Sequence, residues 1–358
     1  MLTFKPKTTV KAQYFLLLFL ILTSCKKEND SVESAKKTAE KENNFVMAER
    51  IPSEIDSLKT KSEIEKFIQK SDTNYREYEL KYLQDFDRDA NYDSVNKILA
   101  NKLNVKTYFE KADFDNNGYT DLLAIGDDHT CSSGGGKSCS FSPIVLLNFG
   151  KNKTKIFTLT LEWGQMLVPV VEYDDGKPLL AIYKQKLTDW EKRIYTESKT
   201  RLTFKFDNLI EYNKNPKKTK ISKIEFETSG CFGSCPIYKL TLNRDSISIF
   251  NAKYYNFNHS GIAVYGKEEG IFYAEINKIK FDELADILNY CDFENLKENY
   301  AVMHTDDQTG DLKITYNDGS IKKISDYGMI GTYGLSFLYM KLAEVRFSEK
   351  WTKKKIAP

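Results

Sequence analysis

The run Asp113-Phe114-Asp115-Asn116-Asn117-Gly118-Tyr119-Thr120-Asp121 places an oxygen-bearing group at every second position around one glycine. The side chains of Asp113, Asp115, Asn117 and Asp121, with the main-chain carbonyl of Tyr119, are the donors that a hard cation takes, and the glycine permits the sharp turn between them. Calcium is the expected cofactor. Ala124 stands where an EF-hand loop has glutamate, and no helical pattern follows, so the run points to a hairpin loop.

Sulfur is the second source of chemistry. Cys131 and Cys139 flank Ser132-Ser133-Gly134-Gly135-Gly136, and Cys231 and Cys235 lie four residues apart in Gly230-Cys231-Phe232-Gly233-Ser234-Cys235-Pro236. In an oxidising compartment both pairs are expected as disulfides, and closing the first loop stabilises the fold by ~2.5 kcal/mol in the chain-entropy model. The alternative for Cys231 and Cys235 is a pair of thiolates that holds Cu(I) with His259 or His304, or that does thiol-redox chemistry. Cys291 is left over, on an apolar helical face, and reads as a buried thiol. The chain has three histidines, no nucleophile-elbow motif and no histidine pair at metal-binding spacing, so no hydrolytic constellation is expected from local signatures.

The acidic run resembles the loops of FG-GAP and VCBS repeats, calcium-binding modules of integrin-type propellers. That resemblance implies that Asp113, Asp115, Asn117, Tyr119 and Asp121 hold calcium at the tip of a β-hairpin. Asp85-Phe86-Asp87-Arg88-Asp89-Ala90-Asn91-Tyr92-Asp93 repeats the acidic spacing upstream but has Ala90 in place of the glycine, and reads as chance clustering. Two repeats do not close a propeller of several four-stranded blades.

The elements that position these groups follow from periodicity. Ile64, Phe67 and Ile68 make one helical face behind a capping box at Ser62 and Glu65. Ile144-Val145-Leu146-Leu147 reads as a buried strand, Ile156 to Leu161 as another, and Val168 to Tyr173 meets Leu179 to Tyr183 across Asp174-Asp175-Gly176. Leu202, Phe204 and Phe206 alternate on a further strand. After Asn213-Lys214-Asn215-Pro216-Lys217-Lys218-Thr219-Lys220 the pattern becomes strands, helix, hairpin, helix. Ile224 and Phe226 open it, Tyr238, Leu240 and Leu242 alternate, and Ile247 and Ile249 follow a turn. Phe281, Leu284, Ala285, Leu288 and Cys291 share one helical face, and Leu335, Leu338, Leu342 and Val345 another, with a hairpin at Asn317-Asp318-Gly319 between them. The expected fold is α+β: a β-rich module over 56–213, an antiparallel sandwich or partial propeller, then a linker at 214–220, then an α+β domain over 221–351 with two helices on an antiparallel sheet. With Gly230 to Tyr238, His304-Thr305-Asp306 and Asp326-Tyr327-Gly328, the last domain resembles the DUF6438 family, which implies a boundary and no activity.

The amino terminus gives an address. Lys5, Lys7 and Lys11 precede an apolar run from Tyr14 to Leu22, too short for the ~20 apolar residues of a membrane span. Leu22-Thr23-Ser24-Cys25 resembles the lipobox of bacterial lipoproteins, which implies cleavage after residue 24, lipidation of Cys25 and attachment through acyl chains such as palmitate. Lys26-Lys27-Glu28-Asn29-Asp30 resembles the surface-export signals of Bacteroidota lipoproteins, and residues 25–55 read as the lipidated cysteine and a disordered tether. Without the three lysines of residues 1–24, 50 basic residues stand against 51 acidic ones, so electrostatic support for nucleic-acid binding is lost. The expectation is a cell-envelope lipoprotein, at the periplasmic or outer face of the outer membrane. It binds an unidentified protein or small molecule without catalysing a reaction, and copper or thiol-redox handling is the alternative.

Overall fold

A computed structural model describes residues 46–86, 90–129, 140–162, 165–189, 191–256 and 269–353. The described residues fall in one compact unit. Its fold is a β-rich α+β arrangement of open sheets with no closed barrel among the described residues.

Two short helices come first, α1 (Glu54–Ser57) and α2 (Lys61–Ser71). Thr60 caps α2: its hydroxyl accepts from Glu63 N, and the Glu63 carboxylate accepts from Thr60 N at 2.9 Å. The expected box at Ser62 and Glu65 is therefore displaced by two residues, because Thr60-Lys61-Ser62-Glu63 offers the same spacing one half-turn earlier. Glu65 instead accepts from Leu80 N at 2.9 Å, tying α2 to β1 (Glu79–Leu80). A helix that the sequence reading missed, α3 (Ala90–Lys102), buries Leu99 and Ala100 and occupies the second half of the upstream acidic run.

Strands β2 (Phe109–Ala112), β3 (Asp121–Ala124), β5 (Ile144–Asn148) and β6 (Thr154–Thr158) form an antiparallel sheet in the order β2-β3-β5-β6, and β4 (Gly126–Asp127) pairs with β1. Every residue of β3 and β5 is buried because the sheet is covered on both faces. Leu122, Ala124, Ile144 and Leu146 pack with Ile55, Ile64 and Ile68 of the helices, whereas Leu123, Val145 and Leu147 pack with Leu180, Ile182 and Leu202 of a second sheet. Burial on both sides explains the unbroken apolar run at 144–147.

The second sheet has the order β10-β9-β8-β7, with β7 (Val168–Asp174), β8 (Lys177–Asp189), β9 (Ile194–Lys205) and β10 (Asn208–Glu211). Its first hairpin turns at Asp175 and Gly176, both with positive φ, as a two-residue turn of this type requires.

A seven-stranded sheet follows, ordered β14-β13-β12-β11-β16-β17-β15. Its strands are β11 (Ile221–Thr228), β12 (Ile237–Asn243), β13 (Ser248–Tyr254), β14 (Gly270–Ala274), β15 (Asn299–Ala301), β16 (Thr309–Tyr316) and β17 (Ile321–Tyr327). All pairings are antiparallel except β15 with β17. Helices α4 (Lys278–Tyr290) and α5 (Tyr333–Ser348) cover one face, where Phe281, Leu284 and Leu288 meet Leu335, Leu338 and Leu342 over Ile224, Phe226, Leu240 and Ile314. On β13 the inward residues are Ser248, Phe250 and Ala252, and Ile249 faces outward. A one-residue shift inverts a strand, and here the larger Phe250 ring takes the core side.

Candidate metal centre

The acidic run is the β2–β3 hairpin loop. Its own carboxylates shape it: Asp113 accepts from Asn117 N at 3.0 Å and from Gly118 N at 2.8 Å, and Asp115 accepts from Asn117 N at 3.2 Å. Asn116 and Gly118 both have positive φ. Glycine is required at 118 for a second reason, since a Cβ there would stand 2.4 Å from the Glu49 carbonyl oxygen. That approach belongs to the segment entering the fold, which Ala48 N to Asn116 Oδ1 (2.8 Å) and Ile51 N to Gly118 O (2.8 Å) fasten onto the loop.

Asp121 opens β3 and is fully buried. One of its oxygens accepts from Phe114 N and the other from Asn148 N, both at 2.7 Å, so it joins the loop to the end of β5. Asp113, Asp115 and Asp121 each bring an oxygen within 4.8 Å of the other two. Loss of solvent, the first cause, and the neighbouring Asp113 carboxylate push Asp115 up to about 6. Burial, with Asp115 and Asp113 adding to it, pushes Asp121 up to about 8 against the two main-chain N–H groups that favour its charged form.

Three carboxylates in so small a space repel one another, and a carboxylate oxygen that accepts one N–H keeps a further lone pair for a cation. The donor set is all oxygen, which suits a hard divalent ion. Asn117 lies among the carboxylates. Its Oδ1 accepts from Tyr119 N at 2.7 Å while its amide nitrogen donates to Asp115 Oδ2 and to Asn148 O, both at 2.9 Å. The structure thus brings the carboxylates of Asp113, Asp115 and Asp121 together, and Asn117 ties Asp115 to the end of β5.

Cys231 and Cys235 are joined in a disulfide with a Cα–Cα distance of 5.7 Å. The loop they close is braced by Phe232 N to Asp306 O (3.0 Å), Thr228 Oγ1 to Pro236 O (2.8 Å), and Gln308 Nε2 to Ser229 O and Pro236 O (both 2.7 Å). His304 lies against Asp307 at 2.5 Å and Glu162 at 3.6 Å. Cys291, at the end of α4, is a free thiol whose pKa burial raises. Cys25, Cys131, Cys139 and His259 lie outside the described residues.

Sequence reasoning missed two features. A groove of about 720 Å³ lies on the face of the seven-stranded sheet away from α4 and α5, lined by Glu225, Glu227, Lys239, Asp311, Lys313 and Lys323. Alternating charges along each strand signal a solvated face but not a groove in it. The other feature is Glu211, whose half-buried carboxylate accepts from Tyr333 N at 2.6 Å and Gly334 N at 2.8 Å, at the amino end of α5. No local spacing links residues so far apart in sequence.

The strands and two helices that hold the Cys231–Cys235 loop correspond to a known family model: residues 222–346 match a domain of unknown function, DUF6438. No curated protein and no solved structure matches the chain. The matched segment does not stand apart from the strands before it. Besides the Glu211 bonds, the Tyr333 ring is buried in the core under the first two sheets, and its hydroxyl donates to Leu159 O at 2.6 Å.

Proposed function

We propose that the chain is a lipid-anchored cell-envelope protein whose β2–β3 loop is stabilised by calcium, and that it acts by binding a protein or small molecule rather than by catalysis. The observation that carries the calcium part is the convergence of Asp113, Asp115 and Asp121, one of them fully buried, within 4.8 Å. Like charges at that distance are held apart from solvent at a cost, and a divalent cation removes it. Asp113, Asp115 and Asp121 would hold the ion, which supplies charge balance. This chain's own residues shape the loop, join it to β5 through Asp121 and fasten residues 48–51 to it.

The amino-terminal sequence ending in Cys25 supports the anchor, and the charged groove on the seven-stranded sheet is a surface open to a partner. The Cys231–Cys235 disulfide, with His304 held by carboxylates, supports a structural role for those cysteines over a soft-metal site. Thermal melting of the full chain tests the calcium part: free calcium raises the midpoint relative to excess chelator, magnesium raises it less, and Asp121→Asn removes the difference. Identical midpoints in calcium and chelator would refute it. Acyl labelling in cells tests the anchor, with label lost in Cys25→Ser expected and label retained contrary to it.

A further inference from the structure

Strands β8 and β9 run for 13 and 12 residues, about twice the length of an average strand. Their neighbours stop short. On one side β7 covers β8 from Lys177 to Tyr183, and on the other β10 covers β9 only from Leu202 to Lys205, with Tyr212 N reaching Arg201 O at 2.7 Å. Beyond those points Lys184 to Asp189 and Ile194 to Thr200 pair only with each other among the described residues. Residues 196–199 are exposed one after another, and no described strand pairs with the outer edge of β9 there. A two-stranded ribbon is marginal in water, and an open edge is a template for another strand.

Main-chain groups alternate sides along a strand, so the Arg201 carbonyl, which meets β10, sets the direction of the rest. Lys199 and Glu197 turn their N–H and C=O to the open edge, while Ser198 turns its own toward Lys184 of β8. Natural edge strands are guarded by lysine or proline. This one carries a glutamate and a lysine two residues apart, which is self-complementary. In an antiparallel meeting of two such edges centred on Ser198, Glu197 stands opposite Lys199 and Thr196 opposite Thr200, each twice. Centring on Glu197 or Lys199 would set like charges against each other, at a penalty.

We propose that the open edge of β9 pairs with the same edge of a second copy of this chain, antiparallel and centred on Ser198, so that the two four-stranded sheets continue into one. The Glu197 and Lys199 main-chain groups of each copy bond those of the other across a two-fold axis. The pairs that Glu197 makes with Lys102 (3.0 Å) and Lys199 with Glu172 (2.6 Å) involve side chains on the faces, so they are compatible with pairing through the edge.

Cross-linking tests the register. Ser198 meets its own symmetry mate at a Cα separation of about 4.5–5.5 Å, within disulfide range, whereas the two copies of residue 196 lie about 13 Å apart. In the full chain under mild oxidation, Ser198→Cys forms dimer at least about fivefold faster than Thr196→Cys, each measured above the unsubstituted protein. Glu197→Lys slows the Ser198→Cys cross-link, and adding Lys199→Glu restores it. Equal rates at 196 and 198, or a charge-swapped pair no faster than Glu197→Lys alone, overturns the proposal.

Discussion

Two tight loops at sheet ends organise this molecule by opposite means. The Cys231–Cys235 loop is closed by a covalent bond and braced by main-chain contacts to the 306–309 segment, so it needs nothing from solution. The Asp113–Asp121 loop is closed by carboxylates that accept N–H bonds while repelling one another. A disulfide fixes geometry once, whereas a like-charged loop keeps a geometry whose stability depends on what balances its charge. Conditions in solution should therefore move the first region of the fold and leave the second alone.

The largest break in this comparison is Asp121→Ala. It leaves the Phe114 and Asn148 N–H groups buried without acceptors and should cost about 2–5 kcal/mol, read from chemical denaturation, with the calcium response gone. If the melting midpoint of the variant equals that of the parent protein, Asp121 does not join the hairpin to β5.

Next is the effect of calcium and its dependence on pH. At free calcium a hundredfold above Kd, binding to the folded state alone adds about 2.7 kcal/mol. In chelator the sign follows from the raised carboxyls. Asp121 at about 8 and Asp115 at about 6 bind protons in the fold that the unfolded chain, near 3.8, has released. Their contribution is present at low pH and lost as pH rises through those values, so stability should fall from pH 5 to pH 8. Calcium should flatten that fall. A midpoint that rises over this window in chelator in step with one measured in calcium would count against the clustered carboxylates.

A smaller effect sharpens the other side. Replacing Cys231 and Cys235 by serine opens a short loop worth about 2 kcal/mol in the chain-entropy model, and the calcium-dependent shift should be unchanged. A double variant that also loses the calcium shift would show that the two loops are coupled. Smallest is Thr60→Ala, which removes the α2 cap and should cost about 1 kcal/mol at any calcium concentration.

Much of this was legible in the sequence, for reasons of local physics. The Asp-x-Asp-x-Asn-Gly run contains its own turn, since Asp113 bonds residues four and five further along, and glycine alone suits the approach of Glu49. The α5 face of Leu335, Leu338, Leu342 and Val345 and the buried run of β5 follow from apolar spacing alone. Helix α3 was hidden because the acidic run around Asp85 to Asp93 dominates its start, and Ile249 was turned outward because both Ile249 and Phe250 are apolar, so period two fits either register.

By itself, then, the sequence determined most of the elements, the hairpin turns at Asp174–Lys177 and Asn317–Gly319, the cysteine pair Cys231–Cys235 and the acidic loop, because each rests on residues within a few positions of one another. Only the tertiary structure decided that Asp121 is buried between Phe114 and Asn148, that Asn117 braces carboxylates, that Glu211 holds the start of α5 and that β9 keeps an open edge. Those depend on which distant strands meet and where their neighbours stop. Such contacts are set by packing of the whole core, and no spacing along the chain records them.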